Sequence, residues 1–99
     1  MLRTMHQLPL VVSEIQIVPV KPAGGLVAFA SCVLNSQLYV GDIAIHTRPD
    51  GSGFRLVYPA KTLTNGKTIN VVHPITPEAG EAIRKTIVAE FQKLMERSR

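Results

Sequence analysis

The sequence contains a single cysteine and no tryptophan. Because one thiol cannot form an internal disulfide, the fold does not require an oxidising compartment. Cys32 lies in the apolar run 26–34, where we expect it to be a small buried hydrophobic residue. That run is too short to cross a bilayer, and Ser31 interrupts it. We find no small-residue cleavage site of a leader peptide and expect a cytoplasmic protein without a membrane partner.

Residues that enzymes use for chemistry are sparse and dispersed in this chain. Nucleophilic catalysis needs Ser or Cys beside His with an orienting carboxylate, and Cys32, His46 and His73 show no such spacing. Three distant histidines and one cysteine do not form a metal-site pattern. The glycine pairs have the composition of hairpin turns and do not form a phosphate-cradling loop. We therefore predict that the protein is not an enzyme and needs neither a metal nor a cofactor.

Carboxylates are absent from one long stretch, between Asp50 and Glu78, whereas Arg55, Lys61 and Lys67 all lie within it. A segment with cations and no anions favours an anionic partner, most commonly phosphate. The formal net charge is +4, but arginines near the chain ends supply part of it. The excess of cations over carboxylates within this stretch is therefore more informative than the net charge of the chain. The alternative interpretation is a solvated loop whose lysines serve only solubility.

Four stretches have the composition and alternation of β-strands, at residues 14–20, 26–34, 37–45 and 54–58. Short segments rich in Pro, Gly, Asn and Asp separate them, which is typical of an antiparallel meander. The second stretch is apolar on both faces and should therefore be central in the sheet.

Strict alternation in the third strand places Tyr39 on the same face as Ile43 and Ile45, and Val40 on the opposite face. Tyr39 is also one of three aromatic residues, with Phe54 and Tyr58, that could stack on single-stranded bases. The chain has few aromatic residues, so we expect most of them to lie in the core or an interface.

A C-terminal helix is the clearest predicted element. Thr76 can cap it, Pro77 suits its first position, and acidic residues in the first turn complement its dipole. One apolar stripe recurs at helical spacing and should lie across the sheet, formed by Ala79, Ile83, Ile87, Phe91 and Leu94. On the opposite face, Glu81 and Lys85 suit an ordinary ion pair, although Arg84 there could also contact phosphate.

These patterns predict an α+β fold, an antiparallel meander of four to five strands with one C-terminal α-helix packed on it. Residues 1–12 show no clear period and suggest a flexible N-terminal arm, with 13–99 as a single domain. One helix covers only one face of such a sheet. Val27, Phe29 and Val33 would then be buried only if another molecule covered them, and we expect a homodimer to do so.

Four segments carry a family resemblance: GDIAI at 41–45, PAK at 59–61, VHPI at 72–75 and EFQKL at 90–94. With these, the chain resembles the stage V sporulation protein G family, also called the septation protein family, from about Ser13 to Met95. The resemblance implies a dimer with a β-sheet and a C-terminal helix. It also implies a regulator that binds specific DNA sites, and also RNA, in control of sporulation, septation or virulence.

The chain departs from the family pattern at several cations. The family loop around Lys61 typically reads Pro-Ser-Lys-Arg-Thr-Pro-Asp-Gly, and here Thr62 stands where arginine is usual. Gly41 and Ala44 stand where the family often has His and Arg. Cations dominate phosphate affinity, so Lys67, which replaces a frequent acid, compensates only in part.

Two functional hypotheses follow. The first is a nucleic-acid-binding regulator of gene expression, with Lys61 and Lys67 as the main phosphate contacts and Arg55 and Arg84 as further contacts. The second is a dimeric protein-interaction module that docks a protein partner and binds no nucleic acid. Salt distinguishes them, because phosphate binding should weaken steeply as salt rises and apolar docking should not.

Overall fold

The computed structural model describes residues 9–97, which form a four-stranded antiparallel sheet, a separate hairpin and a long helix. The main sheet has the order β1-β2-β3-β4, with strands Val12–Ala23, Leu26–Leu34, Leu38–Thr47 and Phe54–Val57. β5 (Ala60–Thr62) and β6 (Thr68–Asn70) pair only with each other as a second sheet, and α1 spans Pro77–Arg97. The predicted α+β meander with its C-terminal helix is thus confirmed.

The connections in the sheet are short reversals. β1 continues to Ala23, so the reversal into β2 is confined to Gly24 and Gly25. Asn35 and Ser36 both have positive φ, 51° and 57°, the backbone conformation of tight hairpin turns.

The third strand does not alternate strictly, so the predicted assignment of its faces was wrong. Ala30 pairs with Ile43 and Cys32 pairs with Val40, which leaves β3 with one residue more than β2 between these pairs. This is a β-bulge, and it reverses the alternation on one side of itself. Val40 is therefore buried beside Ile43, while Tyr39 is 69% exposed on the other face.

The core lies between α1 and one face of the main sheet. The small residues Ala28, Ala30 and Cys32 of the central strand are buried and allow the helix to approach closely. The predicted stripe supplies the helix side, with Ile83, Ile87 and Phe91 buried as expected. Each such side chain stabilises the fold by about 1.5–3 kcal/mol through burial. Phe91 also packs edge-on against Phe54, with ring centroids 5.2 Å apart.

The start of the helix is capped as predicted. The amide nitrogen of Ala79 donates a hydrogen bond to Thr76 Oγ1 at 3.1 Å, and Pro77 is the first helical residue. Cys32 is fully buried, as its apolar surroundings predicted. No helix within residues 9–97 is both long enough and apolar enough to cross a bilayer.

The predicted N-terminal arm, 1–12, lies mostly outside the described residues, which begin at Pro9. The last residues of that segment contact the sheet. Val11 N donates to Asn35 Oδ1 at 2.8 Å, and Asn35 N donates to Val11 O at the same distance. Val12 then begins β1.

Candidate nucleic-acid interface

The segment that the charge pattern singled out forms the β5–β6 hairpin. Lys61 pairs with Ile69, and Thr62 pairs with Thr68. Every paired residue of the two strands is exposed to solvent. An isolated two-stranded hairpin gains little stability from its own contacts, so the hydrogen bonds of its turn matter for its conformation.

The hairpin turn is fixed by its own hydrogen bonds. Leu63 N donates to Lys67 O at 2.7 Å, and Gly66 N donates to Leu63 O at 2.9 Å. The side chain of Asn65 accepts a third bond from Lys67 N at 3.0 Å. Gly66 has a φ of 86°, which a residue without a Cβ adopts at little cost. The turn therefore holds Lys67 at a defined position next to β6.

Lys61 and Lys67 come together on one face of this hairpin. The backbone hydrogen bond from Leu63 N to Lys67 O places these two residues opposite each other, with their side chains on one face. Alternation along β5 puts Lys61 on the same face as Leu63, and therefore on the face of Lys67. Both lysines are exposed. The hairpin sequence contains no carboxylate, so neither lysine has a competing anion within the hairpin. The structure thus brings together the two lysines that were the main predicted phosphate contacts.

Arg55 lies elsewhere, on the far face of the main sheet. Its neighbour Phe54 points towards the helix and contacts Phe91, so alternation along β4 directs Arg55 away from the helix. Arg55 is exposed and pairs across the sheet with His46.

Arg84 lies on the helix side and is bound to a carboxylate. Its Nε donates to Glu81 Oε1 at 3.1 Å and its Nη2 donates to Glu81 Oε2 at 2.5 Å. These bonds hold the pKa of Glu81 below its ordinary value and raise the pKa of Arg84. The expected partner of Glu81 was Lys85, whereas Arg84 makes the contact because its planar group fits both carboxylate oxygens.

A second cationic surface lies beside this ion pair, and the sequence indicated its helix residues but not Arg48. A groove with a volume of about 360 Å³ lies between the β3–β4 turn and α1, and Arg48, Arg84 and Lys85 contribute to its walls. Arg48 and Lys85 also lower the pKa of Glu81 through their charge. They are far apart in sequence and meet only because the turn folds against the helix, so charge counting along the chain missed Arg48.

The sheet face opposite α1 carries an apolar row across all four strands. The register aligns Val18, Phe29, Ala44 and Val57 side by side. Val18 is 61% exposed and Val57 is 37% exposed. Val27, expected on this face, packs instead against the core beside a register shift of β2. We refer to the four aligned residues as the outer row.

The remaining candidates for chemistry are not assembled into a site. His73 is exposed, and its Nδ1 lies 3.0 Å from the carbonyl oxygen of Pro74 at the entrance to the helix. Within residues 9–97, no three His, Cys, Asp or Glu side chains are close enough to hold a metal ion together. Of the three aromatic residues considered for stacking, Phe54 and Tyr58 pack against the core and Tyr39 is exposed.

Comparison with known proteins gives a consistent relationship. The profile of the family described as SpoVG matches residues 10–93. A SpoVG protein of Treponema denticola, named for septation, is 26% identical over 82 residues, which cover 83% of this chain and 86% of that protein. A protein of the same name from Clostridium perfringens is 25% identical over 83 residues, or 84% of this chain and 90% of its own length.

A third relative of that name, from Oceanobacillus iheyensis, is 29% identical over 83 residues, which cover 83% of both chains. The names of these relatives refer to septation and to no class of enzyme. The matched region includes the main sheet, the hairpin and most of the helix.

Proposed function

This chain belongs to the SpoVG family, and we propose that it regulates gene expression by binding nucleic acid through the β5–β6 hairpin. The observation that supports this most directly is the placement of Lys61 and Lys67 on one face of an exposed hairpin without a carboxylate. Its preferred target is a specific DNA site, and RNA is the second target class.

The two lysines contribute affinity and little sequence selectivity. Lysine is a compact charge that binds phosphate without the geometric match that arginine provides. The opposite face of the hairpin carries Thr62, Thr68 and Asn70, whose hydroxyl and amide groups can form hydrogen bonds with base edges. A hairpin of this width fits the major groove, as two-stranded ribbons do.

Arg55 and Arg84 serve only as secondary contacts. The two arginines cannot contact the same stretch of nucleic acid together. They lie on opposite faces of the main sheet. A phosphate that approaches Arg84 must either displace Glu81 from the guanidinium group or share that group with it. Arg48 and Lys85 make the groove beside Arg84 attractive to a neighbouring stretch of phosphate backbone.

We further propose that the protein acts as a homodimer joined through the outer row. Val18 and Val57 are too exposed in one copy to contribute to its core, and Phe29 lies between them. A second copy would cover the row with the same residues, as two-fold symmetry requires. The dimer would also carry two cationic hairpins, so that two contacts to one duplex would reinforce each other.

The test is binding of the purified protein to a mixed pool of labelled DNA and RNA fragments at two salt concentrations, with the oligomeric mass measured in the same buffers. We expect a dimer whose binding weakens steeply as salt rises. Enrichment of a common motif among the retained fragments would identify the site. A folded dimer that retains no fragment at low salt would refute the nucleic-acid proposal.

The outer row also favours a second candidate, a protein-interaction module. In that case the row or the dimer docks a protein partner, and Lys61 and Lys67 contribute little. Binding to such a partner should change little with salt, because apolar contacts are not screened. The nucleic-acid measurement distinguishes the two functions, because this candidate predicts a folded dimer that retains no fragment at either salt concentration.

A further inference from the structure

The charged residues of the main sheet are separated by sign on the two sides of the outer row. Its strands contain two carboxylates, Glu14 and Asp42, and each precedes the row residue of its own strand. The basic residues of these strands, Lys21, His46 and Arg55, all lie on the other side of the row. β1 and β3 run in the same direction, because each is antiparallel to β2. The carboxylates are therefore at one end of the sheet and the basic residues are at the other.

Asp42 and Arg55 belong to the sheet face that carries the outer row. Asp42 is exposed and lines a shallow groove of about 190 Å³ on this face, together with Val18 and Phe29. Arg55 is exposed on the same face and precedes Val57 by two residues. Each of the two charges thus lies about 7 Å from the row along its strand, on opposite sides of it.

Neither of these charges is neutralised within the described chain. The ion pairs within residues 9–97 are Glu81 with Arg84 and Glu90 with Lys93, and both are on the helix. An exposed charge can remain unpaired in water, but a molecule that covers the outer row removes water from both Asp42 and Arg55. Such a molecule must supply a cation near Asp42 and an anion near Arg55.

A second copy of this chain meets both requirements in one orientation. Sheets that pack face to face lie ~10 Å apart with their strands aligned within about 30°. A two-fold axis along the outer row places each row residue over its own equivalent and exchanges the two sides of the row. Asp42 then lies over the side that carries Arg55 of the second copy, and symmetry forms the contact twice. A two-fold axis along the strands would instead bring like charges together, which is unfavourable.

We propose that ion pairs between Asp42 of one copy and Arg55 of the other fix the orientation of the homodimer, with the strands of the two copies antiparallel. This inference rests on the proposed dimer through the outer row and adds the contacts that specify it. The apolar row contributes most of the affinity, and the charge pairs exclude the alternative packing. Glu14 and Lys21 lie on the edge strand, where the same symmetry brings them together as a weaker pair exposed to water.

The test reverses each charge separately and then mixes the two variants. Asp42→Lys places a lysine against Arg55 of the other copy, and Arg55→Glu places a glutamate against Asp42. Each variant alone should therefore dimerise at least about 10-fold more weakly than the parent. In a mixed dimer, both contacts are attractive again. Native mass spectrometry of an equimolar mixture measures the species, and we expect mixed dimers to exceed clearly the proportion of about one half that random pairing gives.

A second comparison avoids the strain of a lysine at residue 42, where φ is 57°. Asp42→Asn combined with Arg55→Glu removes the facing carboxylate, and asparagine adopts this backbone conformation readily. The double variant should therefore recover most of the dimer affinity that Arg55→Glu alone loses. Lys93→Glu is the control, because it reverses a charge on the exposed side of the helix and should leave the dimer unchanged. Circular dichroism verifies that each variant is folded.

The outcomes separate this inference from the dimer on which it rests. Arg55→Glu homodimers as stable as the parent, mixed dimers at only the random proportion, or no recovery in the double variant would overturn the proposed orientation while the outer row remained the interface. A parent protein that is monomeric, or a Val18→Lys protein that remains dimeric, would refute the outer row as the dimer interface and this inference with it.

Discussion

Glu14 and Asp42 share a left-handed backbone conformation, with φ of 50° and 57°, on the two strands that flank the central strand. Each lies where its own strand has one residue more than β2. The two bulges have the same effect. In β3, Val40 and Ile43 both face the core although they are three residues apart, and in β1 the same holds for Val12 and Ile15.

The bulge at Asp42 predicts a residue-specific stability effect. Asp42→Val should lower the free energy of unfolding by about 1–2 kcal/mol, because a β-branched residue is strained at positive φ. Asp42→Gly should be close to neutral. Urea unfolding measures both. Gln16→Val is the matched control on an exposed site of β1, and an equal loss there would show that strand composition, and not the bulge, is responsible.

The bulges also explain which features of the fold could not be predicted from the sequence. The helix was predictable because its cap, its first proline and its apolar stripe are local signals that agree with each other. The sheet face on which Tyr39 lies was not predictable. One extra residue at Gly41–Asp42 reverses the alternation of side chains, and the pattern of apolar residues does not reveal this bulge. Lys61 and Lys67 could be grouped because one hairpin carries both. The meeting of Arg48 with Arg84 depends on tertiary packing and could not be read from the chain.

The buried hydroxyl of Tyr58, which has no hydrogen-bond partner within residues 9–97, predicts a substitution that stabilises the protein. Tyr58→Phe keeps the ring and removes this buried donor, so the free energy of unfolding should rise by about 1 kcal/mol. Tyr39→Phe is the control, since that residue is 69% exposed and should change stability by less than about 0.5 kcal/mol. A loss of stability in Tyr58→Phe would mean that the hydroxyl is paired.

The ion pair between Glu81 and Arg84 predicts a pH dependence. Its hydrogen bonds lower the pKa of Glu81 from 4.5 in the folded state, so the pair contributes fully above that pH and is lost as pH falls below it. Glu81→Gln should therefore unfold at a lower temperature than the parent at pH 7, and the difference should disappear in acid. Water reaches both side chains, which are 32% exposed for Arg84 and 53% exposed for Glu81, so the effect is small.

Glu96→Gln serves as the control for that experiment. It removes the same charge near the other end of the helix, where the dipole disfavours a carboxylate, so it should be neutral or slightly stabilising at pH 7. A Glu81→Gln difference that persists at low pH would show that the ion pair is not its cause.

The hairpin lysines predict a change in salt dependence. Lys61→Ala with Lys67→Ala should weaken nucleic-acid binding and reduce the slope of log affinity against log salt by about two, roughly 0.9 for each phosphate contact on duplex DNA. Lys21→Ala with Lys93→Ala removes the same charge from exposed positions outside the hairpin. Binding isotherms at several salt concentrations give the slope for each double variant. Equal slopes in the two variants would show that the hairpin lysines do not contact the nucleic acid.

The outer row predicts the oligomeric state. Val18→Lys places a charge in the proposed interface at a residue that is 61% exposed, so the subunit should fold and the dimer should dissociate. Sedimentation equilibrium measures the mass, and circular dichroism verifies the fold. Met95→Lys, on the helix and 45% exposed, is the matched control. A Val18→Lys protein that remains dimeric would place the interface on another surface.

The position of Cys32 determines how its thiol responds to oxidants. It is the chain's one thiol, it is fully buried in the central strand, and burial raises its pKa. Peroxides and disulfides react with exposed thiolates, so the folded protein presents them with no reactive thiol. Two folded copies cannot be linked covalently through this residue. Their association should be the same under reducing and oxidising conditions, and only unfolding would make the sulfur reactive.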